Sequence, residues 1–148
     1  MPLQVFTRRI GHWMKDNGDA IDVSRKSAAP EWLFLAPSWT ILRLALEARK
    51  QANALLEETI GRDPTANSVA NRMLVEAWDN YVRGYMAEMR ISFRKHRASW
   101  DGLLERPYVI LCCYCSDAKR CHRAILREDI LPKLGAMDCG EIVEPTRH

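Results

Sequence analysis

The stretch Tyr108–Leu126, YVILCCYCSDAKRCHRAIL, constrains what this chain can fold into more than any other. Val109, Ile110 and Leu111 follow Pro107, and no charge appears until Asp117. Such a continuous apolar run suits a strand buried on both faces, as in a parallel sheet. Cys112, Cys113 and Cys115 close it, and a short polar loop leads into a helix expected to carry Cys121, His122 and Arg123. Ser116 or Asp117 is the expected helix cap, because either side chain accepts a first-turn N–H. A strand end feeding a helix start is where open α/β sheets bind ligands. That helix start favours anions. Lys119, Arg120 and Arg123 would then carry the wrong sign for the helix dipole, at roughly 0.3–1 kcal/mol for each partly exposed cation. Either they extend into water, or a phosphate or carboxylate completes the site.

The remaining chain supplies the partners for this strand. Leu3–Thr7 predicts a first strand, followed by a loop with Arg8, Arg9, Gly11 and His12 and a turn at Gly18 and Asp19. Ala20–Ser24 predicts a second strand, its end crowded by Asp22, Ser24, Arg25, Lys26 and Ser27. The connection Ala29–Pro37 holds Trp32, Leu33 and Phe34 and is too apolar for a freely mobile loop. Ser38 caps a helix running to about Ile60, with Ile41, Ala45, Ala48, Ala52 and Leu55 on one face. Gly61, Asp63 and Pro64 end it.

A second helical region runs from Thr65 toward Leu104, with a break near Ser92 or His96. Leu74, Trp78, Tyr81, Tyr85, Met89, His96 and Trp100 form its stripe, which reads as core rather than a cofactor box. On another face Arg83, Arg90, Arg94 and Arg97 make a basic stripe, either simply solvated or facing nucleic-acid phosphates. Pro132 ends or kinks the last helix, with Gly135 as its stop. Glu141–Glu144 supplies a final edge strand. These elements predict one α/β domain over residues 1–148, with a small, mostly parallel sheet and a long helical middle section.

A chain of 148 residues, 47% hydrophobic and 28% charged, is long enough for one domain with its own core. No run approaches the roughly 20 apolar residues needed to span a bilayer, and MPLQVFTRRIGHW lacks the features of a signal peptide. Five cysteines, three of them within Cys112–Cys115, do not resemble a secreted disulfide framework. The expectation is a cytoplasmic protein with free thiols and no membrane partner. The net charge of +3 is too small to indicate nucleic-acid binding by itself.

The cysteines admit three readings. Cys113, Cys115, Cys121 and His122 supply enough zinc ligands. Adjacent Cys121 and His122 on a helix would nevertheless diverge by about 100°, so no metal is expected. A thiolate at Cys113, Cys115 or Cys121, near a helix start and several cations, suits a nucleophile with His122 as proton shuttle. Cys115 and Arg120 have the spacing of a rhodanese loop but lack its glycine. The third reading is small apolar packing at a strand end, which covers Cys112 and Cys139 best.

The run LCCYCSDAKRCHRAIL resembles the signature of the domain-of-unknown-function family 488, with its Leu-Cys-Tyr beginning and Cys-His-Arg ending. The chain resembles the phage-type members in particular. They carry an Asp-Val-Thr/Ser-Arg-Lys-Ser segment and then Phe-Ala-Pro-Ser-Trp, matched here by Asp22–Ser27 and Leu35–Trp39. Gly140-Glu141 falls where such members have Gly-Glu. The departures are the extra Cys112 and the Gln51–Asn71 segment. The resemblance implies a compact Rossmann-like fold and a site joining the Asp-Val segment to the Cys-His-Arg loop. It implies no established reaction.

The expected function is binding of a phosphate-bearing, nucleotide-derived ligand. Asp117, Lys119, Arg120 and Arg123 would hold its anion, and Asp22 and Arg25 would meet the rest. In a phage protein, this would sequester a nucleotide signal of host defence. The alternatives are a cysteine-dependent enzyme acting on a nucleotide or sulfur-containing substrate, and a nucleic-acid module using the arginine stripe. No cofactor is expected.

Overall fold

The computed structural model describes residues 1–10, 19–59 and 64–143. Gly11, His12, Gly18, Ile60, Gly61, Asp63 and Glu144, invoked above, lie outside them. The chain divides into two compact units. Met1–Ala36 with Met89–His148 form one, and Pro37–Glu88 the other.

The first unit holds a four-stranded sheet made of β1 (Gln4–Arg9), β2 (Ala20–Asp22), β3 (Tyr108–Cys113) and β4 (Met137–Ile142). Its strand order is β2-β3-β1-β4 and every pairing is parallel. The apolar run after Pro107 therefore becomes an interior strand, with Val109 and Leu111 fully buried. β1 alternates as the sequence predicts, burying Val5 and Thr7. The edge strand starts earlier than expected, at Met137, and contains a bulge. Val5 pairs with Asp138 and Thr7 with Glu141, so Cys139 and Gly140 together oppose Phe6. Gly140 adopts φ 88, the left-handed backbone that this extra residue requires. In a regular strand residues 138 and 141 would face opposite sides. The bulge places Asp138 and Glu141 on the same face as Val5 and Thr7.

The helical segments of this unit begin with a 3₁₀ segment, Pro30–Leu35. Phe34 packs edge-on against Trp100, which meets Phe93 in the same way. Ser92 joins this cluster by donating to the Phe34 carbonyl (2.6 Å) and accepting from Trp100 Nε1 (3.1 Å). Trp100 lies on α3 (Arg97–Leu104), separated from α2 (Pro64–Lys95) by the expected break at His96. After the loop from β3 come α4 (His122–Ile125), a π-turn (Leu126–Ile130) and a 3₁₀ turn (Leu131–Leu134). The wider π-turn followed by Pro132 and left-handed Gly135 ends this segment where the sequence predicts.

The second unit is helical. α1 (Trp39–Thr59) starts as predicted, with Ser38 Oγ accepting the Ile41 N–H at 3.3 Å. Ser38 N–H in turn donates to Glu88 Oε1 at 2.8 Å. The α2 residues Trp78, Tyr81 and Tyr85 stack in succession, with centroids 5.5 and 6.2 Å apart. Ala52, Ala70, Tyr81 and Tyr85 are buried. No helix among the described residues is long and apolar enough to cross a membrane.

Candidate functional site

A parallel sheet delivers all its carboxyl ends to one edge, and three strand ends meet there. β2 runs into Asp22–Ser27, β3 into Cys113–Cys121, and β4 presents Glu141. Register sets Asp22 beside Cys112 and Glu141 beside Thr7, which itself lies beside Leu111. The β2 and β3 loops are tied together twice. His122 Nε2 lies 2.8 Å from the Val23 carbonyl, and Ser27 Oγ lies 3.2 Å from the Tyr114 hydroxyl.

The sulfur cluster sits at the end of β3. Cys113 Sγ is 3.9 Å from Cys115 Sγ and 3.9 Å from His122 Nδ1, and Cys121 Sγ is 3.8 Å from the same nitrogen. Cys113, Cys121 and His122 are buried, whereas Cys115 is half-exposed. Cys121 is the residue before α4 and has an extended backbone, φ −143 and ψ 149. The helical divergence expected between Cys121 and His122 therefore does not apply, and both face Cys113. All five cysteines are free thiols.

A carbonyl oxygen only accepts, so the Val23 contact places the proton on His122 Nε2 and the lone pair on Nδ1, toward the sulfurs. Burial lowers the His122 pKa and keeps the ring neutral, with the Val23 hydrogen bond acting in the opposite direction. The ring lies deep in the fold, 2% exposed. The Cys115 thiol is drawn well below the ordinary range by hydrogen bonds from Cys113 and Cys121, with Arg123 adding to the effect. Its two neighbours move up in consequence. Cys112 rises to about 11, chiefly through burial.

Arg123 is completely buried. Its Nε and Nη2 grip both oxygens of Glu141 at 3.0 and 2.8 Å, and Nη1 donates to the Cys115 carbonyl at 3.0 Å. Burial opposes ionisation of both groups, but the pairing prevails, holding Glu141 low and Arg123 high. One turn on, Arg127 reaches Thr7 Oγ1 and Asp138 (2.8 Å). The β4 bulge thus serves two arginines spaced four apart on one helical face. Arg123 thereby links the Cys115 backbone to β4.

The other predicted residues divide. Asp22 Oδ1 accepts from Ser24 N–H (2.8 Å) and Ser24 Oγ (2.6 Å), and Oδ2 accepts from Ser27 Oγ. Arg123 pairs with Glu141 rather than Asp22. Arg25 donates to the Ala36 carbonyl at 3.2 Å. Asp117 does not cap the helix, since its Oδ1 accepts the Lys119 N–H within the loop (2.9 Å). α4 begins only at His122 and has no side-chain cap. Asp117, Lys119 and Arg120 therefore lie on an exposed loop rather than in a first helical turn, and the argument from dipole sign does not hold for them. In the basic stripe, all four arginines are exposed. Arg97 pairs with Asp101 and lies over Phe93, and Arg83 donates to Asn80. Sequence reasoning missed Glu141, Thr7 and Tyr114 as site residues. Only the Gly140-Glu141 pair offered a signal.

The fold and site define a parallel α/β protein with a thiol–imidazole centre at its sheet edge. Residues 64–134, just under half of the chain, match the family described as DUF488-N3a, Active DUF488-N3 subclade, which supports a DUF488 assignment. The matched segment contains Cys113–Arg123 but not Asp22 or Glu141. No curated protein and no solved structure matches the chain.

Proposed function

We propose that the protein is an enzyme whose nucleophile is the Cys115 thiolate and whose substrate is a small, phosphate-bearing, nucleotide-derived molecule. The observation that carries this reading is a chain of three contacts of 3.8–3.9 Å linking Cys115, Cys113, His122 Nδ1 and Cys121 at the carboxyl edge of a parallel sheet. Packing alone does not require an imidazole lone pair turned onto two thiols. Cys115 is the member that solvent reaches, so it is the one a substrate would meet. Exposed Lys119 and Arg120 in the same loop suit a phosphate, and the matched subclade is described as active.

Those two exposed cations also favour a second reading, in which the site binds a nucleotide signal without turning it over, as a phage protein acting against host defence would. One experiment separates the two. Wild type and Cys115→Ser are incubated with a panel of nucleoside phosphates, cyclic dinucleotides and thionucleotides, and products are read by mass spectrometry. The enzyme reading expects one compound to be consumed, with a loss on the order of 10⁴-fold or more in Cys115→Ser. Stoichiometric binding without turnover supports sequestration. Equal turnover by both proteins removes Cys115 as nucleophile.

A further inference from the structure

We infer that Cys113, Cys121 and His122 bind a zinc ion, with Cys115 as its exchangeable fourth ligand. Zinc bonds of about 2.3 Å to sulfur and 2.0–2.1 Å to nitrogen, held tetrahedrally, set ligand atoms about 3.8 Å apart for sulfur pairs and about 3.6 Å for sulfur–nitrogen pairs. Three of the six edges of that polyhedron are close to these lengths. Cys113 and Cys115 sulfurs are 3.9 Å apart, and His122 Nδ1 is 3.9 and 3.8 Å from the Cys113 and Cys121 sulfurs. Donor atoms of Cys113, Cys121 and His122 all lie within 4.8 Å of one another.

Orientation supports this independently of distance. A ligating histidine characteristically donates its other ring N–H to a carbonyl or carboxylate, which fixes the tautomer and aims the lone pair. Val23 supplies that carbonyl at 2.8 Å from Nε2, and Nδ1 is left facing the sulfurs. The loop that carries the fourth sulfur is held by Arg123, whose Nη1 bonds the Cys115 carbonyl while its remaining donors grip Glu141. Three buried ligands and one half-exposed thiolate describe a centre closed on the protein side and open at Cys115. The soft donor set selects zinc over magnesium or calcium. A bound ion holds its thiol ligands deprotonated, so each liberates a proton to solvent on binding. The inference does not depend on catalysis, because a chain that holds zinc and turns nothing over satisfies it.

The full chain is purified in chelator, dialysed, and titrated with Zn²⁺ and with Co²⁺ alone. One ion per chain is expected, with the absorption of tetrahedral cobalt bound by thiolate. Cys113→Ser and Cys121→Ser should weaken binding by more than about 100-fold, beyond what loss of an outer-shell partner costs. Cys115→Ser should keep one ion with an altered cobalt spectrum, and Cys139→Ser should match wild type. Wild type also provides a readout that no misfolded variant can blur. Zinc should shield Cys113, Cys115 and Cys121 from maleimide, mapped by peptide, and leave Cys139 unchanged. Less than one ion per wild-type chain, or labelling of those three thiols unaltered by zinc, overturns the inference. So does a loss in Cys139→Ser equal to that in Cys121→Ser. Failure here leaves the turnover comparison of wild type with Cys115→Ser intact.

Discussion

Replacing Arg123 with Met removes a guanidinium that the structure surrounds with acceptors, and the cost follows from what is left behind. The side chain is 1% exposed, and its partner Glu141 is 17% exposed. Met fills most of the volume, so the loss is electrostatic rather than a cavity. Removing one member of a buried ion pair costs about 3–5 kcal/mol, because the other charge stays behind without its partner. Water reaches Glu141 slightly, so the lower end applies, about 3 kcal/mol. For a chain of this size, about 2–4 °C is lost per kcal/mol, which gives a fall in Tm of about 6–12 °C. Arg123→Met with Glu141→Leu should recover most of it, since neither charge is then stranded.

The pH dependence follows from the depressed Glu141 carboxyl. A depressed folded-state pKa contributes stability that is fully present above the ordinary value of 4.5 and lost as pH falls through the folded value. In Arg123→Met burial acts on Glu141 without its guanidinium and raises the carboxyl. The gap between wild type and variant should therefore start to shrink above pH 4.5 as pH falls, and close through the depressed wild-type value. Urea denaturation at a series of pH values measures it. A gap under about 1 kcal/mol at pH 7, or a double variant no more stable than Arg123→Met, would refute the reasoning.

Two further substitutions test the frame around the site. Gly140→Val places a β-branched residue at φ 88, where an added Cβ meets no atom within 4 Å, so only backbone strain acts. The expected loss is about 1–3 kcal/mol by denaturant titration, together with weaker coupling between Arg123 and Glu141 in a double-mutant cycle. Ser92→Ala strips a partner from both the Phe34 carbonyl and Trp100 Nε1. It should cost about 1–3 kcal/mol, and a shift in Trp100 fluorescence would report the same change.

The sheet was legible because its signals are local. The run Val109–Leu111, the alternation from Leu3 to Thr7 and the Pro132–Gly135 stop each act within a few residues. So were the Ser38 cap and the break at His96. The helix start was misplaced, since Asp117 satisfies a loop N–H as well as a helical one and nothing in the sequence separates the two. That error carried Lys119 and Arg120 into a helix and set Cys121 and His122 apart. Glu141 was hidden for a different reason. Its side of the sheet depends on a bulge at Gly140, and a period of two read through the bulge gives the wrong face. The Asp22 loop was correctly placed on the site edge, but its carboxylate is occupied by Ser24 and Ser27, a pairing that spacing alone does not reveal.

The central claim is that Cys115 is the reactive thiol of a preorganised cluster. Competitive labelling of the folded protein, freed of metal by chelator, with trace isotopic iodoacetamide and quantified peptide by peptide, tests it most directly. The account predicts that Cys115 is modified first, ahead of Cys112, Cys113, Cys121 and the half-exposed Cys139. It also predicts that Arg123→Met narrows the lead of Cys115 over Cys139 while the fold persists, because the loop carbonyl has lost its anchor. Cys139 reacting as fast as Cys115 in the wild-type protein would contradict it.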